Sequence, residues 1–135
     1  MERTLAIIKP DAVQRQLAGV IISEIEMKRF AITSIRTLRL SADQAALFYD
    51  EHRAKPFFEG LVAHISSGQI YALVLEREDA IEAWRRLMGP TDPAKAEPFT
   101  LRRRFASDIQ RNCVHGADSP AKAKREIDFF FGEGE

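Results

Sequence analysis

The chain has 135 residues, a length that corresponds to one domain, and we expect a single domain over residues 1–135. Apolar residues make up 45% of the chain and charged residues 30%, which excludes a disordered protein. Because 20 Lys and Arg balance 20 Asp and Glu, no globally basic surface is available for nucleic acid or anionic lipid, and any attraction for anions must be local.

Two features indicate a cytoplasmic protein without a membrane anchor. The apolar runs are only a few residues long, and the N-terminus lacks the pattern of a signal peptide, so we expect neither a membrane span nor export. The single cysteine, Cys113, cannot form an intrachain disulfide and is typical of a reducing compartment.

Hydrophobic periodicity and capping residues predict alternating strands and helices. In chain order, the predicted elements are a strand over 4–8, a helix over 19–30, a strand over 31–40, a helix opened by the Ser41–Gln44 capping box, a short helix over 57–65, a strand over 70–75, a helix over 79–88 and a terminal helix opened by Ser119 and Pro120. Lys9-Pro10-Asp11 indicates a turn after the first strand, and a phase slip between Ile35 and Leu38 indicates a bulge in the second. Helices covering one small sheet form an α+β or α/β sandwich, whose strand order these data leave open.

Residues 89–118 are the least regular stretch, with a helical turn near 101–105 and a fourth short strand expected around 113–116. An irregular stretch of this length inside a compact domain is usually functional or disordered. From Arg85 to His115, seven basic side chains face three acidic ones, a net charge of +4, and six of the seven are arginines. Since arginine binds phosphate oxygens bidentately, this stretch indicates an anion site, although a solvated surface position is the simpler alternative for any single arginine. The tail over 132–135 is expected to be frayed.

Several familiar sites are excluded. The glycine spacing fits neither a Walker A loop nor GxGxxG, and there is no HExxH motif. Cys113 and His115 have no neighbours to complete a zinc site, so we expect any catalytic metal to arrive with the substrate.

His115 is the strongest candidate for a catalytic residue. It lies just before the predicted terminal helix, and Glu126 lies seven residues after the N-cap Ser119, on the same helix face. Side chains lean toward the helix N-terminus, so Glu126 is aimed at the turn that carries His115. A carboxylate that binds one ring nitrogen leaves the other as a nucleophilic lone pair. The alternative for His115 is a structural histidine.

A phosphohistidine enzyme also needs cations and an apolar surface for a base. Lys9, at the end of the first strand, is a candidate cation, with an exposed surface lysine as the alternative. Phe57 and Phe58 offer an aromatic surface, although we expect at least one of them to lie in the core.

Taken together, these segments resemble the nucleoside diphosphate kinase family from Arg3 to Phe131. The motifs that carry the resemblance are Ile8-Lys9-Pro10-Asp11-Ala12-Val13, Phe48-Tyr49, Lys55-Pro56-Phe57-Phe58, Leu87-Met88-Gly89-Pro90-Thr91-Asp92-Pro93, and Asn112 to Gly116 with Glu126.

The resemblance implies a ferredoxin-like βαββαβ fold with a four-stranded antiparallel sheet. It also implies ping-pong transfer of the terminal phosphate from a nucleoside triphosphate, chiefly ATP, to a nucleoside diphosphate. By this resemblance, His115 is the phosphorylated residue and Glu126 orients its ring. Terminal phosphates are bound by Arg85, Thr91 and Arg102, and the sugar hydroxyl and transferred phosphate are contacted by Lys9, Tyr49 and Asn112. The base stacks on Phe57 with Leu61 and Ile109 beside it, and Asp118 contacts the metal hydration shell.

Magnesium (Mg2+) is expected on the nucleotide phosphates, together with broad base tolerance, because every base has a π-face. A tetrameric or hexameric homo-oligomer is implied as well. Three residues depart from the family pattern: Ala117 replaces a serine that helps to hold the glutamate, Gln69 replaces a proline, and Phe99 replaces a glycine. They bear on rate and stability rather than on reaction type.

Two other hypotheses remain. A nucleic-acid-binding module is suggested by the basic run Arg102–Arg104 and by a fold shared with RNA-recognition motifs, but residues 69–76 contain one aromatic, Tyr71, and lack the aromatic RNP1 pattern. We therefore expect no nucleic-acid partner. An inactive relative would bind nucleotide without turnover.

Overall fold

The computed structural model describes residues 1–132, so the fraying expected over 133–135 lies outside the described residues. The strands are β1 (Glu2–Ile8), β2 (Ala31–Leu38), β3 (Ile70–Arg77) and β4 (Val114–Gly116). The α-helices are α1 (Pro10–Gln14), α2 (Ala18–Met27), α3 (Ala42–Phe48), α4 (Phe58–Ile65), α5 (Ala80–Met88), α6 (Leu101–Phe105) and α7 (Pro120–Phe131). Two short 3-10 helices cover Asp50–His52 and Pro93–Lys95.

The four strands form one sheet in the order β2-β3-β1-β4, and every neighbouring pair is antiparallel. This arrangement confirms the predicted α+β, ferredoxin-like fold. The central strand β1 pairs with β4 in a register that places Ile7 opposite His115. That register brings the first residues of the chain against the end of the irregular stretch.

Helices cover both faces of the sheet, so β1 is apolar on both sides. Leu5 and Ile7 point to one core and Ala6 and Ile8 to the other, as expected from the alternation of side chains along a strand. The core that contains Ala6 and Ile8 also contains Trp84 of α5. A strand buried on both faces is a continuous apolar run in the sequence.

The structure corrects several predictions about local structure. Lys9-Pro10-Asp11 is not a simple turn, because Pro10 is the first residue of α1 and Lys9 is its N-cap. Proline is favoured at the first helical position, but a five-residue helix is too short to show periodicity. The irregularity in β2 lies between Ile32 and Ser34, earlier than the predicted slip.

The predicted helix caps are confirmed. Ser41 and Gln44 form a reciprocal capping box at the start of α3, and the Ser119 side chain accepts a hydrogen bond from the Lys122 backbone N–H. The helix predicted to reach residue 30 ends at Met27.

Among residues 1–132, no helix combines the length and apolarity needed to cross a membrane.

Candidate active site

The predicted site residues line one cavity of about 500 Å³. It is bounded by the β1–α1 junction, the segment after α3, the start of α4, the loop after α5, and β4 with the start of α7. All twelve predicted residues contribute to its wall, namely Lys9, Tyr49, Phe57, Leu61, Arg85, Thr91, Arg102, Ile109, Asn112, His115, Asp118 and Glu126. The fold therefore brings together residues that are widely separated in the sequence.

His115 and Glu126 form the contact expected from their spacing. Both carboxylate oxygens of Glu126 lie 3.1 Å from His115 Nε2. Because an ionised carboxylate only accepts hydrogen bonds, this contact favours the tautomer with the proton on Nε2 and the lone pair on Nδ1. The side chain of Glu126 is 4% exposed and that of His115 is 20% exposed. The histidine is therefore held from its buried side and remains accessible from the cavity.

Aromatic rings and a backbone contact fix the position of His115. Phe48 packs edge-on against the imidazole at 5.2 Å between ring centroids, and Tyr49 does so at 6.1 Å. Trp84 Nε1 donates a hydrogen bond to the His115 carbonyl at 3.1 Å. Burial, and secondarily the charge of Glu126, raises the pKa of Tyr49, so this phenol stays protonated at neutral pH and can donate a hydrogen bond.

Lys9 connects the end of β1 to the segment before β4. Its Nζ donates to Asn112 Oδ1 at 2.8 Å and to the Gln110 carbonyl at 2.9 Å. Burial of the ammonium group, together with the nearby charge of Arg102, lowers the pKa of Lys9 to about 8. Lys9 is thus a buried cation whose charge is sensitive to mildly alkaline pH.

Asp11 connects the start of α1 to α4 and to the residue before β4. One of its carboxylate oxygens is 2.9 Å from His64 Nε2, and the other accepts from the Cys113 backbone N–H at 3.1 Å. Cys113 has a left-handed φ of 67°, which costs a non-glycine residue about 1–2 kcal/mol. Burial alone would raise the pKa of Asp11, but the hydrogen bond from His64 and the charge of Lys9 hold it below its usual value. The contact between Asp11 and His64 was not predicted from the sequence.

Arg102 differs from the other predicted phosphate-binding residues because it is buried. Its guanidinium donates to the carbonyls of Gly89, Val114 and Asn112 at 2.9, 2.8 and 3.4 Å. These bonds join the loop after α5 to β4. Arg85 and Thr91, in contrast, are exposed at the cavity.

The outer part of the cavity is apolar. Phe57 is 49% exposed and Ile109 is 59% exposed, while Leu61 is partly buried between them and the core. Phe58 packs against the core, which confirms the prediction that one of the two phenylalanines does so. Exposed apolar side chains at the entrance of a cavity suit a flat, apolar ligand surface.

Four polar residues of the wall were not predicted from the sequence: Glu51, His52, Gln110 and Lys122. Lys122 Nζ lies 3.1 Å from a Glu51 oxygen and 3.3 Å from an Asp118 oxygen. The short separation between Asp118, just before the N-cap Ser119, and Lys122, in the first turn of α7, is a usable signal. Glu51 leaves no comparable signal, since it comes from a distant segment.

Asp118 is the carboxylate of the cavity that is placed to meet an ion arriving with a ligand. Within residues 1–132, no three histidine, cysteine, aspartate or glutamate side chains are grouped to hold a metal ion. Asp118 is half exposed at the cavity entrance, where it can meet the water shell of a hydrated cation. Mg2+ typically keeps several waters and is held by few carboxylates together with substrate phosphates.

Comparisons with known proteins agree with this geometry. The family model described as nucleoside diphosphate kinase matches residues 2–135. The chain belongs to the nucleoside diphosphate kinase family. A nucleoside diphosphate kinase of Pelobacter propionicus is 50% identical over 131 residues, covering 97% of this chain and 96% of its own length. That of Pelotomaculum thermopropionicum is 48% identical over 135 residues, covering 100% of this chain and 91% of its own length.

Solved structures of the family share the same fold. The Aquifex aeolicus nucleoside diphosphate kinase has a TM-score of 0.95 and 41% identity, with 98% of this chain and 96% of that chain covered. The enzyme from Encephalitozoon cuniculi also has a TM-score of 0.95, at 32% identity, with 98% of this chain and 90% of that chain covered. The family resemblance and the fold class predicted from the sequence are thereby confirmed.

The three departures from the family pattern lie in different environments. Ala117 is buried beside Ile81 and Ala123, next to the site. Gln69 is exposed just before β3, and Phe99 is 62% exposed just before α6. Only Ala117 also contributes to the wall of the cavity.

Proposed function

We propose that His115 carries the phosphoryl group in the reaction of this nucleoside diphosphate kinase, a phosphotransferase that acts on nucleoside triphosphates and diphosphates. The observation that supports this role is the contact of His115 Nε2 with both oxygens of Glu126, which leaves Nδ1 as the nucleophile. The chain acts as one domain over residues 1–135.

The reaction consists of two transfers of the same kind. In the first, the Nδ1 lone pair forms a bond to the terminal phosphorus, while the bond from phosphorus to the bridging oxygen breaks and the nucleoside diphosphate leaves. In the second, a terminal phosphate oxygen of another diphosphate attacks the phosphohistidine, and the bonding electrons return to Nδ1. Glu126 stabilises the positive charge that develops on the ring during transfer.

Cationic and polar side chains position the phosphates. Arg85, Thr91 and Arg102 bind the terminal phosphates, and three of the N–H groups of Arg102 are already used by backbone carbonyls, which fixes the orientation of its guanidinium. Lys9, Tyr49 and Asn112 contact the sugar hydroxyl and the transferred phosphate. Support comes from the short Lys9–Asn112 contact and from the protonated state of Tyr49.

The base stacks on Phe57, with Leu61 and Ile109 beside it. These side chains are apolar and offer no hydrogen bonds that distinguish one base edge from another, so all common bases are accepted. Mg2+ bound to the nucleotide would neutralise phosphate charge, and Asp118 would meet its water shell. We further propose a cytoplasmic homo-oligomer, tetrameric or hexameric, consistent with the buried free thiol of Cys113.

The basic run Arg102–Arg104 is a poor nucleic-acid surface in this fold. Arg102 is buried on backbone carbonyls, and Arg104 forms an ion pair with Glu24 while its guanidinium lies over the Phe105 ring. A surface that neutralises phosphates along a strand needs several free cations.

A labelling experiment tests the proposed role of His115. After incubation with γ-labelled ATP and Mg2+, the protein should carry an acid-labile, alkali-stable phosphate that ADP or GDP removes. His115→Ala should remain unlabelled with an unchanged circular dichroism spectrum. An acid-stable label, or labelling of the alanine variant, contradicts the proposal, and nucleotide binding without any label would indicate an inactive relative.

A further inference from the structure

A lysine at the cavity entrance joins two carboxylates from different parts of the chain. Lys122, in the first turn of α7, places Nζ 3.1 Å from Glu51 Oε2 and 3.3 and 3.4 Å from the two oxygens of Asp118. Glu51 belongs to the 3-10 helix after α3, and Asp118 precedes α7. All three side chains line the cavity that contains His115.

The ammonium group of Lys122 is surrounded by carboxylate oxygens. An ammonium group has three N–H donors, and three carboxylate oxygens lie within 3.4 Å of it. Glu51 also lies 3.5 Å from His52 Nε2, so this carboxylate faces the cavity from beside the aromatic wall. Without Lys122, two carboxylates would face an incoming polyanion.

We propose that Lys122 is a charge-setting residue that neutralises Glu51 and Asp118 so that the cavity admits nucleoside di- and triphosphates. The inference rests on the proposed function for the identity of the ligand. Nearby carboxylates repel phosphates through space, and this repulsion lowers the rate of encounter and the affinity. Lys122 therefore affects nucleotide affinity, while Glu126 and His115 determine the transfer step.

A purely structural role for the ion pairs is the competing explanation. The three side chains are between one-third and one-half exposed, and exposed ion pairs contribute little to stability. Loss of Lys122 should accordingly leave the unfolding midpoint almost unchanged. An effect on nucleotide affinity at constant stability separates the two explanations.

The chain offers a matched control on the same helix. Lys124 pairs with Asp128 at 2.9 Å and is 74% exposed, and two residues along an α-helix correspond to a rotation of about 200°. Lys122→Glu and Lys124→Glu therefore change the net charge equally, but only the first adds a carboxylate at the cavity. Titration calorimetry with ADP and Mg2+ measures affinity without requiring turnover.

We expect Lys122→Glu to weaken ADP binding roughly ten-fold at low salt, and Lys124→Glu to change it by less than about two-fold. The difference should nearly disappear at about 0.5 M NaCl, where the screening length falls to a few ångströms. Equal affinities of the two variants would overturn the proposal. So would a loss that persists unchanged in high salt.

A second pair of variants tests the neutralisation itself. Lys122→Gln should weaken ADP binding about three-fold, and Glu51→Gln introduced together with it should restore most of the affinity, because the repelling charge is removed with its counter-ion. Failure of Glu51→Gln to restore the affinity would show that Lys122 contacts the ligand itself and would overturn the proposal. Failure of the wild-type protein to label His115, with ADP binding intact, would instead contradict the proposed function.

Discussion

Both carboxylate oxygens of Glu126 lie 3.1 Å from Nε2 of His115, across a sequence separation of 11 residues and between a helix and a strand. This pairing identifies Nδ1 as the nitrogen with a free lone pair. It also provides a negative charge next to the ring, which becomes positive during phosphoryl transfer.

Glu126→Gln should slow phosphorylation of His115 about ten-fold, because a neutral hydrogen bond replaces a charge-assisted one of about twice the strength. Quenched single-turnover labelling with ATP measures this rate directly. Glu82→Gln, at an exposed glutamate of α5 paired with Arg86, serves as a control and should retain the wild-type rate. A Glu126→Gln enzyme as fast as wild type would be incompatible with the proposed role of the carboxylate.

Deprotonation of Lys9 should make the activity of the enzyme fall at alkaline pH. Because burial and the charge of Arg102 lower the pKa of Lys9 to about 8, the ammonium loses its proton as the pH rises through that value, and kcat/KM for ATP should fall. Lys9→Arg keeps its charge, so its limb should move to higher pH. Steady-state assays between about pH 6.5 and about pH 9.5 test this. An identical alkaline limb in both proteins would exclude Lys9 as its source.

Rising pH should increase the contribution of Lys9 to stability, although it lowers activity. The folded-state pKa of Lys9 lies below the value of 10.5 for a free lysine, so between these two values the unfolded chain binds more protons. The contribution of Lys9 to the free energy of unfolding therefore rises with pH over this interval. Urea titrations of wild type and Lys9→Arg at the same pH values should reveal the difference. A contribution that falls with rising pH would mean that the pKa is not lowered.

Arg102→Ala should destabilise the fold by about 2–4 kcal/mol, since it leaves the part-buried carbonyl of Gly89 and the buried carbonyl of Val114 without their donor. Arg103→Ala is the neighbouring control, because its exposed guanidinium donates to the Ala94 carbonyl at the surface. We expect this variant to differ from wild type by less than about 0.5 kcal/mol. Urea unfolding measures both, and similar values for the two variants would argue against a structural role for Arg102.

Phe57→Ala should raise the KM for all nucleotides by about ten-fold, because stacking on an aromatic ring contributes about 1–3 kcal/mol per base. Phe99→Ala removes another exposed phenylalanine that is not part of the cavity wall, and it should leave KM unchanged. Comparison of ATP, GTP and CTP tests the base tolerance. A loss confined to one base would point to recognition of a base edge instead of stacking.

Local signals in the sequence predicted most elements of the fold. The Ser41–Gln44 capping box and the Ser119 cap stand at the predicted helix starts, because caps are interactions among neighbouring residues. The helix α1 was missed because five residues are too few to show a periodicity. The irregularity of β2 was misplaced because it depends on pairing with β3, which lies far along the chain.

By itself, the sequence predicted the family, the fold class and twelve residues that the fold places around one cavity, because the motifs are contiguous and chemically specific. Tertiary structure alone decided which nitrogen of His115 is free and where the guanidinium of Arg102 binds. It also decided which carboxylates surround Lys122. These contacts depend on the register between β1 and β4 and on the packing of α7 against the sheet. Hydrogen bonds and ion pairs are sensitive to shifts of a few tenths of an ångström, which no spacing along the chain can specify.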